Sequence, residues 1–152
     1  MTSPLEKLRE YGYELPAPKA PVASYVPVTR SGNTLYVSGQ ISSNEHGVVT
    51  GLLGENMNVV QGGNAAELAA LNILSQIVHM GGVPLHDIKR ILKVTVLVAS
   101  TPEFTEQHLV ANGCSNLLVG VLGDKGKHAR AAFGVASLPF GAAVEIDAIV
   151  EV

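Results

Sequence analysis

Near the C-terminal end of this 152-residue chain, Arg130 and Glu145 each interrupt a run of apolar or small residues. The segments from His128 to Val135 and from Val144 to Val150 read as β-strands, joined by a turn containing Leu138-Pro139. Side chains alternate faces along a strand, so His128, Arg130, Ala132 and Gly134 share one face and the arginine stands over small residues. In the last strand Val144, Ile146, Ala148 and Val150 form the core face, and Glu145, Asp147 and Ile149 the opposite one. A guanidinium fork grips a carboxylate bidentately, and here it stands over small residues with a carboxylate in the same hairpin. The hairpin is therefore expected to build a pocket for a small carboxylate. Read by themselves, Arg130 also fits a surface charge at a strand edge, and Glu145 and Asp147 fit solvent-facing positions of an antiparallel sheet.

The spacing carries a resemblance. The pattern A-R-x3-G/E-V-A-x-L-P-x4-V/I-E-I-x-A, met here from Ala129 to Ala148, resembles the C-terminal signature of the Rid family of reactive-intermediate deaminases, also labelled endoribonuclease L-PSP. Upstream, Ser24-Tyr25-Val26 and Leu35-Tyr36-Val37-Ser38-Gly39-Gln40-Ile41 are similar to the family's tyrosine segment and its V-S-G-Q-I strand. The resemblance runs from about residue 20 to the C-terminus. It implies that Arg130 binds the substrate carboxylate, helped by the backbone amide of Ala132, and that Glu145, fifteen residues later, positions the hydrolytic water. Tyr25 becomes a pocket wall, and Ser38 and Gly39 offer a small, backbone-rich approach that otherwise reads as a bulge. The implied activity is cofactor-independent hydrolysis of 2-imino acids, such as 2-iminobutanoate and 2-iminopropanoate, to 2-oxo acids and ammonia. The implied fold is α+β and chorismate-mutase-like, and the implied assembly a homotrimer with clefts between subunits.

Two histidines depart from the family pattern. His108, four residues after Phe104, occupies the place of an asparagine that usually closes the pocket, and His128 replaces a residue that is often proline. His128 lies on the Arg130 face, so it is a candidate second ligand to the carboxylate or a proton donor; a solvated histidine at a strand start is the commoner outcome. An extra N-terminal helix, an insertion around residues 61–64 and added residues near Lys89-Arg90-Ile91 mark a divergent branch.

Other chemistries lack their signatures. No H-x3-H or H-E-x2-H spacing occurs, and His79 and His86 are separated by Gly81, Gly82 and Pro84, so no metal site is expected. Cys114 lies six residues from His108, over 90° off its helical face, which disfavours a Cys-His pair and leaves buried packing as its role. There is no G-x-S-x-G elbow, P-loop or dinucleotide fingerprint.

The elements that must position these residues follow from local pattern. Ser3-Pro4-Leu5-Glu6 combines N-cap serine, proline at the first helical position and glutamate at N3, which predicts a short helix to about Tyr11. Prolines 16, 18 and 21 then make an extended linker over the rest of residues 1–20 and just beyond. A hairpin is expected from Ser24–Arg30 and Thr34–Ser38 around Ser31-Gly32-Asn33. A helix should begin at about Gly62 or Asn64 and stop at Met80 before Gly81-Gly82. Ile88 to Ser100, rich in β-branched residues, is expected as a central strand. A second long helix should open at Ser100 or Thr101 and run to Leu122, with Gly113 and Gly120 inside it for close packing. Together these predict one α+β domain over 1–152, a mixed sheet with both long helices on one face.

Composition bounds the partners. With 47% hydrophobic and only 15% charged residues, a monomer of this size would be short of polar surface, which points to a subunit interface. The net charge of −3 and 5% aromatics lack the basic, stacking footprint of a nucleic-acid binder, so RNA is not an expected partner. No run is long and apolar enough to span a bilayer, no apolar leader is evident, and a single cysteine suits a reducing compartment, so the expected location is cytoplasmic. Two alternatives to the deaminase stay open: a trimeric module that binds small carboxylates without turnover, and another reaction of a carboxylate metabolite in the same cleft.

Overall fold

Local signals place most elements where the pattern predicts them. The computed structural model describes residues 2–20 and 23–152; Pro21 of the expected linker lies outside them. Helix α1 (Pro4–Glu10) opens with a complete capping box: the Ser3 hydroxyl accepts from the Glu6 amide and the Glu6 carboxylate accepts from the Ser3 amide. Strands β1 (Val28–Ser31) and β2 (Thr34–Ile41) form the expected hairpin, with Gly32 at φ 58 in its turn. Ser24 to Pro27 do not extend β1; Pro27 has no N–H to give a ladder, and its carbonyl instead accepts from the Ser38 amide. A two-residue pair, β3 (Ser43–Asn44) and β4 (Gly47–Val48), follows.

Helix α2 (Val59–His79) starts earlier than Gly62, because Asn58 and Gln61 make a second capping box. Strand β5 (Arg90–Ala99) leads to helix α3 (Gln107–Leu122), which starts later than Ser100. The Thr101 amide donates to Leu53 O and the Phe104 amide to Thr101 O, so this stretch is spent on a tertiary bridge and a turn before the helix can begin. Strands β6 (Ala129–Val135) and β7 (Val144–Glu151) complete the chain.

The five long strands form one mixed sheet in the order β1-β2-β7-β5-β6, with β5 and β6 parallel and the other pairs antiparallel. This corrects the expected C-terminal hairpin: β5 stands between β6 and β7. The β5-α3-β6 crossover puts β6 parallel to β5 at the sheet edge, as such connections require. Strand β7, whose Val144, Ile146, Ala148 and Val150 are all buried, fills the central slot between β2 and β5. The largely exposed β6 takes the edge.

Both long helices cover one face. The alanine-rich stripe of α2 (Ala65, Ala66, Ala69, Ala70) and the apolar face of α3 (Val110, Cys114, Leu117, Leu118, Val121) pack on Leu35, Val37, Val94, Val96, Val98 and the core face of β7. Gly113 lets α3 rest on α2 itself, since a Cβ there would collide with the carbonyl of Gly63. Gly120 does the same for the ring of Tyr11 beside α1. Among the described residues no helix covers the opposite face of the sheet, which leaves Tyr36 and Phe133 about half exposed. Among the described residues no helix is long and apolar enough to cross a membrane.

Candidate active site

Glu145 points to the uncovered face, because its neighbours Val144 and Ile146 are turned into the core. Opposite it, β2 carries a bulge between Val37 and Gln40, and Gly39 sits in that bulge. A Cβ on Gly39 would stand 2.6 Å from Glu145 Oε2 and 3.0 Å from its Cδ, so the missing side chain is the space the carboxylate occupies. Ser38 anchors the neighbouring loop: its hydroxyl donates to Val26 O at 2.9 Å and its amide to Pro27 O at 2.8 Å. That holds Tyr25 over the same cleft, of about 290 Å³, whose lining includes Lys19, Tyr25, Gly39, Gln40, Phe140 and Glu145. Burial, and secondarily the charge of Asp147 on the same strand face, push the Glu145 carboxyl above its usual range. A carboxyl so raised is a stronger base than an ordinary surface glutamate.

Arg130 lies on the other face. It is aligned with the buried Val94 on β5, and its guanidinium reaches α3, where three neutral acceptors hold it. Nη1 donates to Asn112 Oδ1 at 2.9 Å and to Ser115 Oγ at 3.2 Å, and Nη2 donates to the His108 carbonyl at 3.3 Å. Residues 108, 112 and 115 follow helical spacing, so one stripe of α3 supplies all three acceptors. Among the described residues no carboxylate lies within ion-pairing distance of Arg130. Among the described residues these bonds engage three of its five N–H groups, which leaves donors for a carboxylate.

His128 sets the direction of this network. Its Nδ1 lies 2.6 Å from Gly126 O, which only accepts, so in the neutral ring Nδ1 carries the proton. Nε2 is then a lone pair, 2.8 Å from Ser115 Oγ, and accepts the serine proton. With its proton committed, the serine oxygen presents lone pairs to Arg130. Beneath it Cys114 is buried, and desolvation pushes its thiol up to about 12, with Arg130 pulling the other way, so this thiol is inert as a nucleophile.

The residues singled out in the sequence thus fall into two groups. Tyr25, Gly39 and Glu145 come together in the cleft on the open face. Ser38 borders the adjoining furrow with Lys93, Thr95 and Asp147 and supports Tyr25 from below. Arg130, His108 through its carbonyl, and His128 gather on the helix side of β6, and Ala132, aligned with buried Val96, shares that face. One hairpin pocket holding both Arg130 and Glu145 is not formed, because the two belong to non-adjacent strands and opposite faces. Sequence reasoning missed Asn112 and Ser115, although their spacing from His108 already placed them on one helical stripe. It also missed Lys19 and Phe140, for which no local signal exists. Among the described residues no three His, Cys, Asp or Glu side chains converge as metal donors.

Comparison with known proteins adds a family. The family model described as endoribonuclease L-PSP matches residues 16–152. Protein TCP17 of Trypanosoma cruzi is 49% identical over 146 residues, covering 95% of this chain and 91% of its own. A 2-iminobutanoate/2-iminopropanoate deaminase of Rattus norvegicus is 34% identical over 134 residues, covering 86% of this chain and 83% of its own. The crystal structure of Atu1372 from Agrobacterium tumefaciens, a protein described as of unknown function, superposes with a TM-score of 0.92 at 52% identity, over 98% of this chain and 92% of that one.

Proposed function

Since the chain belongs to the endoribonuclease L-PSP family, the Rid family, we propose that it hydrolyses 2-imino acids to 2-oxo acids and ammonia in a cleft completed by a second copy of itself. The observation that carries this reading is the state of Arg130: an exposed cation held by three neutral acceptors, with donors left over and, among the described residues, no carboxylate beside it. A guanidinium anchored on one side with donors to spare suits the bidentate grip of a carboxylate.

Arg130 and Glu145 lie on opposite faces of one sheet, and a small imino acid cannot reach through it. An edge strand that brings its Arg130 to the Glu145 cleft of another copy removes the difficulty. It also covers part of the open sheet face, and a ring of three closes such a head-to-tail contact. In that cleft the fork of Arg130 fixes the substrate carboxylate and so the position of the adjoining imine carbon. Glu145 takes a proton from water as the oxygen adds to that carbon and the C=N electron pair moves to nitrogen. That proton passes to the nitrogen, and Glu145 then carries the proton of the new hydroxyl to the same nitrogen, so that the C–N bond breaks as the C=O bond forms and ammonia leaves. The raised pKa of Glu145 suits it to both transfers.

The test is ammonia release from 2-iminobutanoate generated in situ, with sedimentation of the same sample. Turnover by a trimer is expected. A species near the 15.9 kDa chain mass would overturn the shared cleft, and a trimer that binds 2-oxobutanoate without ever releasing ammonia would overturn the deaminase.

A further inference from the structure

Phe140 combines two features that a residue of its type normally avoids. It sits in the short turn Pro139–Gly141 between β6 and β7 with φ 60 and ψ 16, and no other residue except glycine has positive φ among those described. A side chain with a Cβ is strained in that left-handed conformation, whereas glycine adopts it freely. Its ring is also 70% exposed, among the most exposed large apolar side chains of the molecule. Neither local propensity nor core packing accounts for a phenylalanine here, and strain of this kind clusters at ligand-binding positions.

The ring borders the Glu145 cleft. Together with Tyr25, Pro27, Ile41 and Pro139 it makes the apolar part of the lining, while Glu145, Gln40 and Lys19 supply the polar part. Glu145 lies only five residues further along the chain, so the turn holds the ring at a set distance from the reacting position. We infer that Phe140 is the specificity-determining residue of the cleft, receiving the substrate's side chain and selecting 2-imino acids with bulky apolar side chains over those with a methyl or ethyl group. This rests on the deaminase reading above and adds a substrate class to it. The physical basis is that a small side chain leaves the ring in water, whereas a branched or aromatic one buries against it.

The experiment compares ammonia release from the imines that an amino-acid oxidase makes from leucine and from alanine, in the wild type, Phe140→Ala and Phe140→Gly. The wild type should favour the leucine-derived imine by about tenfold or more in kcat/KM, the scale at which an apolar pocket discriminates side chains. Both variants should lose most of that ratio, and the glycine variant should melt above the alanine variant because it releases the backbone strain. An unchanged ratio in the variants, or a wild type that favours the alanine-derived imine, would overturn the inference. So would a change in subunit number on sedimentation of Phe140→Gly, which would make the ring an interface contact instead. If the wild type releases ammonia from neither imine, it is the deaminase reading that has failed, and calorimetry decides the inference. Tighter binding of 4-methyl-2-oxopentanoate than of pyruvate, lost in Phe140→Gly, would support it; equal binding, or none, would end it.

Discussion

Gly39→Ala separates the placement of the Glu145 carboxylate from the stability of the fold. The added Cβ would lie 2.6 Å from Oε2, 3.0 Å from Cδ and 3.2 Å from Cγ of Glu145. Unstrained contacts need roughly 3.5 Å, so the carboxylate must retreat by about 1 Å. All three atoms are the far end of one flexible side chain, and no backbone has to move. Gly39 is not in the left-handed region, so alanine there also narrows the unfolded ensemble, an effect of ~0.4–1 kcal/mol in favour of folding. The melting temperature is therefore expected to stay within about 4 °C of wild type. Activity should respond very differently, because a displacement of about 1 Å at the reacting group lowers rates by up to ~100-fold, equivalent to roughly 2.7 kcal/mol in the barrier. Calorimetric melting and ammonia release from 2-iminobutanoate, measured on one preparation, read the two terms independently. Wild-type kcat/KM in a folded Gly39→Ala would refute the role given to Glu145, and a collapse of the melting temperature would refute the claim that only a side chain has to yield.

Three further outcomes follow from the same geometry. The folded-state pKa of Glu145 is raised, so the native protein binds more protons than the unfolded chain between the ordinary and raised values, and stability falls as pH rises through that window. Glu145→Gln should therefore melt above wild type at about pH 8 and lose that advantage towards about pH 4, while its turnover falls and its binding of 2-oxobutanoate persists; equal melting at both pH values would contradict the raised pKa. Arg130→Ala should lower kcat/KM by about a hundredfold or more, and Arg130→Lys should not restore it, since a point charge lacks the planar fork; full rescue by lysine would remove the basis of the carboxylate reading. Ser115→Ala should raise KM severalfold, roughly 1 kcal/mol, through a looser Arg130, and His128→Phe should do the same. In a double-mutant cycle the two losses should not add, because His128 acts only through the serine; additive losses would sever that relay.

The extent to which the chain alone disclosed all this depends on the range of the interactions involved. The α1 capping box, the β1–β2 turn and the alternation of β7 are set by residues a few positions apart, so local chemistry made them legible. The fifteen-residue interval from Arg130 to Glu145 likewise pointed to a family and a pair of candidate residues. Strand order is a different kind of fact. Nothing near Arg130 says that β5, some thirty residues upstream, will stand between it and Glu145; that follows from the α3 crossover and from the burial that drives β7 to the centre of the sheet. Alternation could assign each side chain a face of its own strand, but only the assembled sheet decided that those faces were opposite. The late start of α3 has the same origin, since Thr101 gives its amide to Leu53, a partner no helix signal could foresee. Phe140 was silent in the sequence because its type says only that it is apolar, and its strain and exposure exist only once the turn between β6 and β7 has been built.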